Sequence, residues 1–196
     1  VGGYVPNRLG TVYPEGVAVR LPAGADIEGQ MHYTTIGEPV TDQSSWGVVL
    51  TREPDESIRR AGGGQVANLM FRIEPGNSAY EVTASRKIDS DTYLSTIMPH
   101  MHVRGKSAKV VVKYPDGREE VALSVPNYDF EWQLNYRLEE PMFLPAGSEL
   151  QTVLTYDNST NNRHNPDPTA TVGWGDQTWE EMMLTFYGTV DGPASE

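Results

Sequence analysis

The stretch KVVVKYPDGREEVAL, residues 109–123, limits the fold more than any other. Two strand-like runs flank Pro115-Asp116-Gly117, and Asp-Gly tolerates the backbone dihedrals of a tight turn, so the stretch reads as a β-hairpin. Runs of the same kind recur along the chain: VAVRLPAG (17–24), ADIEGQMHYTT (25–35), WGVVLT (46–51), QVANLMFRIEPG (65–76), AYEVTAS (79–85), FEWQLNYRL (130–138), SELQTVLTY (148–156) and MMLTFYGTV (182–190). The 19 Gly and 14 Pro fall between and around them, the punctuation of many short strands joined by turns. This predicts an all-β chain, an antiparallel sandwich of the jelly-roll kind. REPDESIRRAGGG (52–64) reads as a connector, and only 52–60 has room for a short helix. DNSTNNRHNPDPTA (157–170) consists of turn formers and reads as a loop.

A repeat refines the organisation. LPAGADI (21–27) runs into EGQMHYTT, and LPAGSEL (144–150) runs into QTVLTYDN, which aligns Tyr33 with Tyr156. Duplication predicts two related sandwiches, residues 1–64 as the C-terminal half of a first and 65–196 as a second. The chain is then expected to be the C-terminal portion of a longer protein, with an N-terminal part of the parent chain as its partner.

Charge excludes some functions. Lys and Arg total 15 against 27 Asp and Glu, a formal net charge of -12, so the chain repels phosphate backbones and nucleic acid is a poor partner. No 18-residue apolar run exists to span a membrane. Paired acids such as Asp55-Glu56, Glu119-Glu120, Glu139-Glu140 and Glu180-Glu181 read as solvated faces. Asn158-Ser159-Thr160 matches a glycosylation sequon and reads as chance. Trp46, Trp132, Trp174 and Trp179 offer a stacking surface for a carbohydrate or protein partner, or else sit in the core and turns.

With no cysteine, thiolate chemistry and Cys-ligated zinc are excluded, and a metal must use His, Met, carboxylate or backbone. Two of the four histidines, His100 and His102, lie one residue apart in MPHMHVRGK (98–106), with Pro99 stiffening the approach and Gly105 ending the strand. On a strand such side chains share a face, with Cα atoms about 6.5–7 Å apart, close enough to converge on one ion. The alternative is a pair of ordinary polar strand residues. The third ligand comes from His164, Met182 or Met183, and consecutive strand residues face opposite sides, so one methionine at most takes part. A thioether would select copper, especially Cu(I), over zinc, calcium or magnesium.

These motifs together resemble the copper type II, ascorbate-dependent monooxygenases, the family of the peptidylglycine α-hydroxylating and dopamine β-monooxygenases. Its second domain carries His-x-His followed by Gly-Lys, here His100-Met101-His102-Val103-Arg104-Gly105-Lys106, and Thr-x-x-Glu-Met, here Thr178-Trp179-Glu180-Glu181-Met182. The resemblance spans about residues 1–190. It implies a copper held by His100, His102 and Met182, where O2 binds and a C–H bond is hydroxylated. Gln30-Met31-His32-Tyr33 is similar to a stretch of the first domain that ligates a second copper, so His32 would be a remnant of that site. The adjacent histidine pair of that domain has no counterpart here. The wording of PHMHVRGKSAKV and WGDQTWEEMM is similar to the bacterial branch, which implies a periplasmic or secreted location. The partners implied are a small-molecule substrate and an electron donor, namely ascorbate, a quinol or a cytochrome. Leu184 and Phe186 stand where the peptide enzyme anchors its substrate, and Met98 stands in place of an arginine, so a C-terminal glycine peptide is not the expected substrate. The rival is a copper-binding or structural module without turnover of its own.

Overall fold

The computed structural model describes residues 10–31, 33, 36–51 and 57–192. The described residues form eleven strands: β1 (Val17–Ala18), β2 (Arg59–Asn68), β3 (Arg72–Ile73), β4 (Tyr80–Lys87), β5 (Thr92–His100), β6 (Gly105–Lys113), β7 (Glu119–Val125), β8 (Tyr136–Leu144), β9 (Glu149–Tyr156), β10 (Val172–Gly173) and β11 (Met183–Val190). Among the described residues there is no helix, and so none long and apolar enough to cross a membrane.

Two sheets carry the architecture, ordered β1-β2-β11-β5-β8 and β4-β9-β6-β7, with β10 and β3 forming a small third. Every pairing is antiparallel except β1 with β2. The long strands β2, β4, β5, β6, β7, β8, β9 and β11, counted one to eight in chain order, run 1-8-3-6 in one sheet and 2-7-4-5 in the other. That order is the double Greek key of a jelly roll. The chain is all-β, as the strand and turn pattern predicts.

The core lies between the sheets. Val66, Leu94, Ile97 and Leu144 from the first sheet meet Val110, Val112 and Leu150 from the second. A second cluster joins Ile73, Val82, Met101, Leu154, Tyr156 and Met183. In β9 buried and half-buried residues alternate, the period of a strand with one face on the core. The hairpin forms where expected. Tyr114 and Arg118 bond across its turn, and Gly117 takes φ 86°, a dihedral disfavoured for side-chain-bearing residues.

The connector reading of 52–64 is corrected over its last six residues, because β2 begins at Arg59. Ala61 to Asn68 pair with β11. The glycines serve close approach here. A Cβ on Gly63 would collide with the carbonyl of Tyr187, and one on Gly64 would lie 2.7 Å from the Tyr187 hydroxyl. Gly63→Ala is therefore expected to lower stability by about 1–3 kcal/mol, read as a shifted denaturant midpoint with an unchanged slope. Of 52–60, where a short helix is allowed, 52–56 lie outside the described residues and 57–60 form turn and the start of β2.

Other expectations are also revised. Only Val17–Ala18 of the 17–24 run is strand, the described residues of 25–35 and 46–51 form none, and 130–135 precede β8 as turn and loop. Trp46, Val49 and Leu50 are exposed accordingly. Alternation assigns faces to side chains but supplies no hydrogen-bonding neighbour, and a strand needs both. The two copies of the repeat share their turn: Ala25 bonds back to Pro22 and Ser148 to Pro145, with Gly24 at φ 75° and Gly147 at φ 91°. They diverge after it. Tyr156 is fully buried at the end of β9, and Tyr33 is exposed.

Candidate functional site

His100 is the last residue of β5, and its register partner on β11 is Leu184. His102 lies beyond the strand, in a turn closed by a bond from the Gly105 amide to the His102 carbonyl. Gly105 thus opens β6 and does not end the histidine strand, which stops at His100. It must be glycine because a Cβ would sit 2.6 Å from the Tyr128 ring and 2.8 Å from Met101. Between the histidines Met101 turns into the core, fully buried. The Tyr128 hydroxyl grips it from both sides, accepting from its amide and donating to its carbonyl. Anchoring Met101 inward leaves the flanking histidines on a common side. Their ring centroids are 5.3 Å apart at 84°.

Each imidazole is fixed through Nδ1. In His100 it meets Gln133 Oε1 at 2.6 Å, and Gln133 itself donates to the Phe130 carbonyl. In His102 it meets the Glu180 carbonyl at 3.2 Å. An oxygen partner on one ring nitrogen sets the tautomer and presents the other, Nε2, as the coordinating atom. His102 is 4% exposed, and this burial lowers its pKa, which favours the neutral form that ligates metal.

The third expected ligand, Met182, immediately precedes β11. Met182 lies two residues before Leu184, so extending the strand alternation puts it on the face of Leu184 and His100. Met183 points the other way and is fully buried in the core. Met182 is half-buried, and its carbonyl accepts from the Tyr156 hydroxyl. His164 is exposed in the 157–170 loop and makes no cluster with the pair. Among the described residues no three His, Asp or Glu side chains group as a metal site. Two imidazoles and one thioether would make a donor set suited to a soft ion such as Cu(I). His32 lies outside the described residues.

Glu181 is the residue that sequence reasoning missed. Read as part of a solvated acidic edge, it is fully buried. Its carboxylate accepts from the His102 amide at 2.7 Å and the Arg104 amide at 2.6 Å, so it clamps the turn that carries His102. Burial pushes its pKa up to about 7, against the pull of these two amides and of Arg104. Arg104 is 1% exposed and donates to Asn158 Oδ1 and the Trp179 carbonyl. Asn158 in turn donates to the Glu74 and Ala170 carbonyls, so the apparent sequon asparagine is a buried cross-brace. The only sequence signal for this network was the position of Glu181 beside Met182 and of Arg104 beside the histidines. Of the tryptophans, Trp46, Trp132 and Trp179 are exposed and Trp174 packs against the core.

No protein-family model matches the chain, and no curated protein matches it. Among solved structures it is similar to one described as the structure of infectious bursal disease virus Gt strain, at 14% identity and a TM-score of 0.33. That alignment covers 87% of this chain and 39% of the viral chain.

Proposed function

We propose that this chain is the catalytic copper domain of a copper-dependent monooxygenase, hydroxylating a C–H bond with O2 and an external reductant. The observation that supports this best is the histidine pair, two rings 5.3 Å apart, each tied through Nδ1 to an oxygen. When bound, copper would supply the site for O2 and the one-electron chemistry that a side chain cannot. His100, His102 and Met182 would hold it. Gln133 and the Glu180 carbonyl orient the imidazoles, and Glu181 fixes the turn that carries His102. Burial of His102 limits water and protons at that ring. Leu184, opposite His100, presents an apolar wall and not a polar anchor, which suits a substrate other than a peptide carboxylate.

The reductant would be ascorbate, a quinol or a cytochrome, and the location periplasmic or secreted. The distinguishing role is that of Met182, because two histidines alone do not favour Cu(I) over other ions. Met182→Leu keeps the volume and removes the sulfur. Anaerobic titration with a Cu(I) chelator is expected to show about one copper per chain in the wild type, with a weaker Cu(I) affinity in the variant. Equal Cu(I) affinity in both proteins would remove Met182 from the ligand set. Ascorbate-driven O2 consumption by the copper-loaded protein separates turnover from the rival reading, a copper-binding module.

A further inference from the structure

A separate cleft of 340 Å³ lies beside the histidine pair and includes neither ring. Arg104, Asp167, Trp174, Trp179 and Glu180 contribute to its walls. Its size is at the lower end for small-ligand sites. Two indoles in one small cleft supply flat apolar faces whose π-electrons attract a cation. Trp179 is 60% exposed, so its indole is open to a ligand.

The charges favour the same sign. Asp167 Oδ1 accepts from both the amide and the hydroxyl of Thr169, bonds that hold its pKa below the ordinary range and keep it ionised. Glu180 brings a second carboxylate, steadied by the Gln177 amide. Arg104 is the one cation among these wall residues. Its charge is countered by Glu181 and by Asp167, and its Nε and Nη1 already donate to Asn158 and the Trp179 carbonyl. Two wall carboxylates, Asp167 and Glu180, thus stand against one wall cation, and the net charge of -12 adds to that negative field. An anion would meet two carboxylates. A compact metal dication would find no cluster of three His, Asp or Glu side chains among the described residues. A diffuse, weakly hydrated organic cation matches both the indoles and the carboxylates.

We propose that this cleft binds a small organic cation, an alkyl- or quaternary ammonium ion, held against Trp174 and Trp179 by the charges of Asp167 and Glu180. Its test needs no metal at the histidines.

The test uses the full chain and the indole N–H resonances of its four tryptophans in nuclear magnetic resonance spectra, titrated with tetramethylammonium chloride. Sodium chloride at matched ionic strength and sodium acetate are the controls. The Trp174 and Trp179 signals are expected to shift saturably, with Trp46 and Trp132 unmoved. Trp179→Leu should weaken binding about 2- to 30-fold. Asp167→Asn should weaken it about 2- to 5-fold. Both positions are exposed, and the remaining spectrum reports whether each variant is folded. The proposal is overturned if no saturable shift occurs, if sodium chloride reproduces the shifts, if acetate saturates the cleft instead, or if both variants bind tetramethylammonium as tightly as the wild type.

Discussion

Glu181→Ala is expected to lower the unfolding free energy by about 3–5 kcal/mol, a large part of the stability of a domain this size. The carboxylate is fully buried and accepts from two backbone amides, those of His102 and Arg104. Removing it leaves both N–H groups without that acceptor and removes a buried carboxylate whose charge interacts with that of Arg104. The loss should appear in urea unfolding of the metal-free protein. Glu181→Gln keeps one acceptor oxygen and is expected to fall between the wild type and the alanine variant. If the alanine variant unfolds at the wild-type midpoint, the clamp on the histidine turn is not a stabilising element.

The second large effect concerns the metal. His100→Ala combined with His102→Ala is expected to abolish copper binding, a loss well beyond the 10- to 100-fold typical of removing an outer hydrogen-bonding partner. Stability should change far less than in Glu181→Ala. His100 is half-buried, and the His102 turn is held by its backbone amide and by Met101, neither of which the substitutions remove. Copper content measured after gel filtration, beside circular dichroism of the same sample, reads both quantities. A folded double variant that retains one copper would overturn the assignment of the site. The contrast between the two variants matters, because it separates residues that bind from one that positions.

Much of the fold was legible in the sequence. β9 and β11 form within a residue of the boundaries that alternation and turn residues suggest, and the 109–123 hairpin turns where expected, although β6 starts earlier, at Gly105, and β7 runs on to Val125. These elements carry local information: an apolar face every second residue and a glycine where the backbone needs it. β5 was less visible, because TYLSTIMPH mixes polar and apolar residues and an irregularity between Leu94 and Thr96 breaks its period of two. The 46–51 run failed for the converse reason. Its pattern is that of a strand, but no described neighbour pairs with it.

The candidate site divides along the same line. His-x-His spacing and the choice of Met182 could be read from the chain, because neighbouring residues and motif resemblance carry them. Glu181 could not. Nothing local distinguishes it from its neighbour Glu180, which spends its carbonyl on the His102 ring and its carboxylate on the Gln177 amide. Arg104 and Asn158, 54 residues apart, become partners only when β6 and the loop after β9 meet. The sequence by itself determined the all-β class, the turns and the donor atoms available to a metal, since these depend on side-chain chemistry and short-range backbone preference. Tertiary structure decided which charges were buried, which glycines served close packing, and which backbone amides steady the histidine turn. Those outcomes depend on pairings between strands far apart in the chain, and a pattern of period two does not encode its partner.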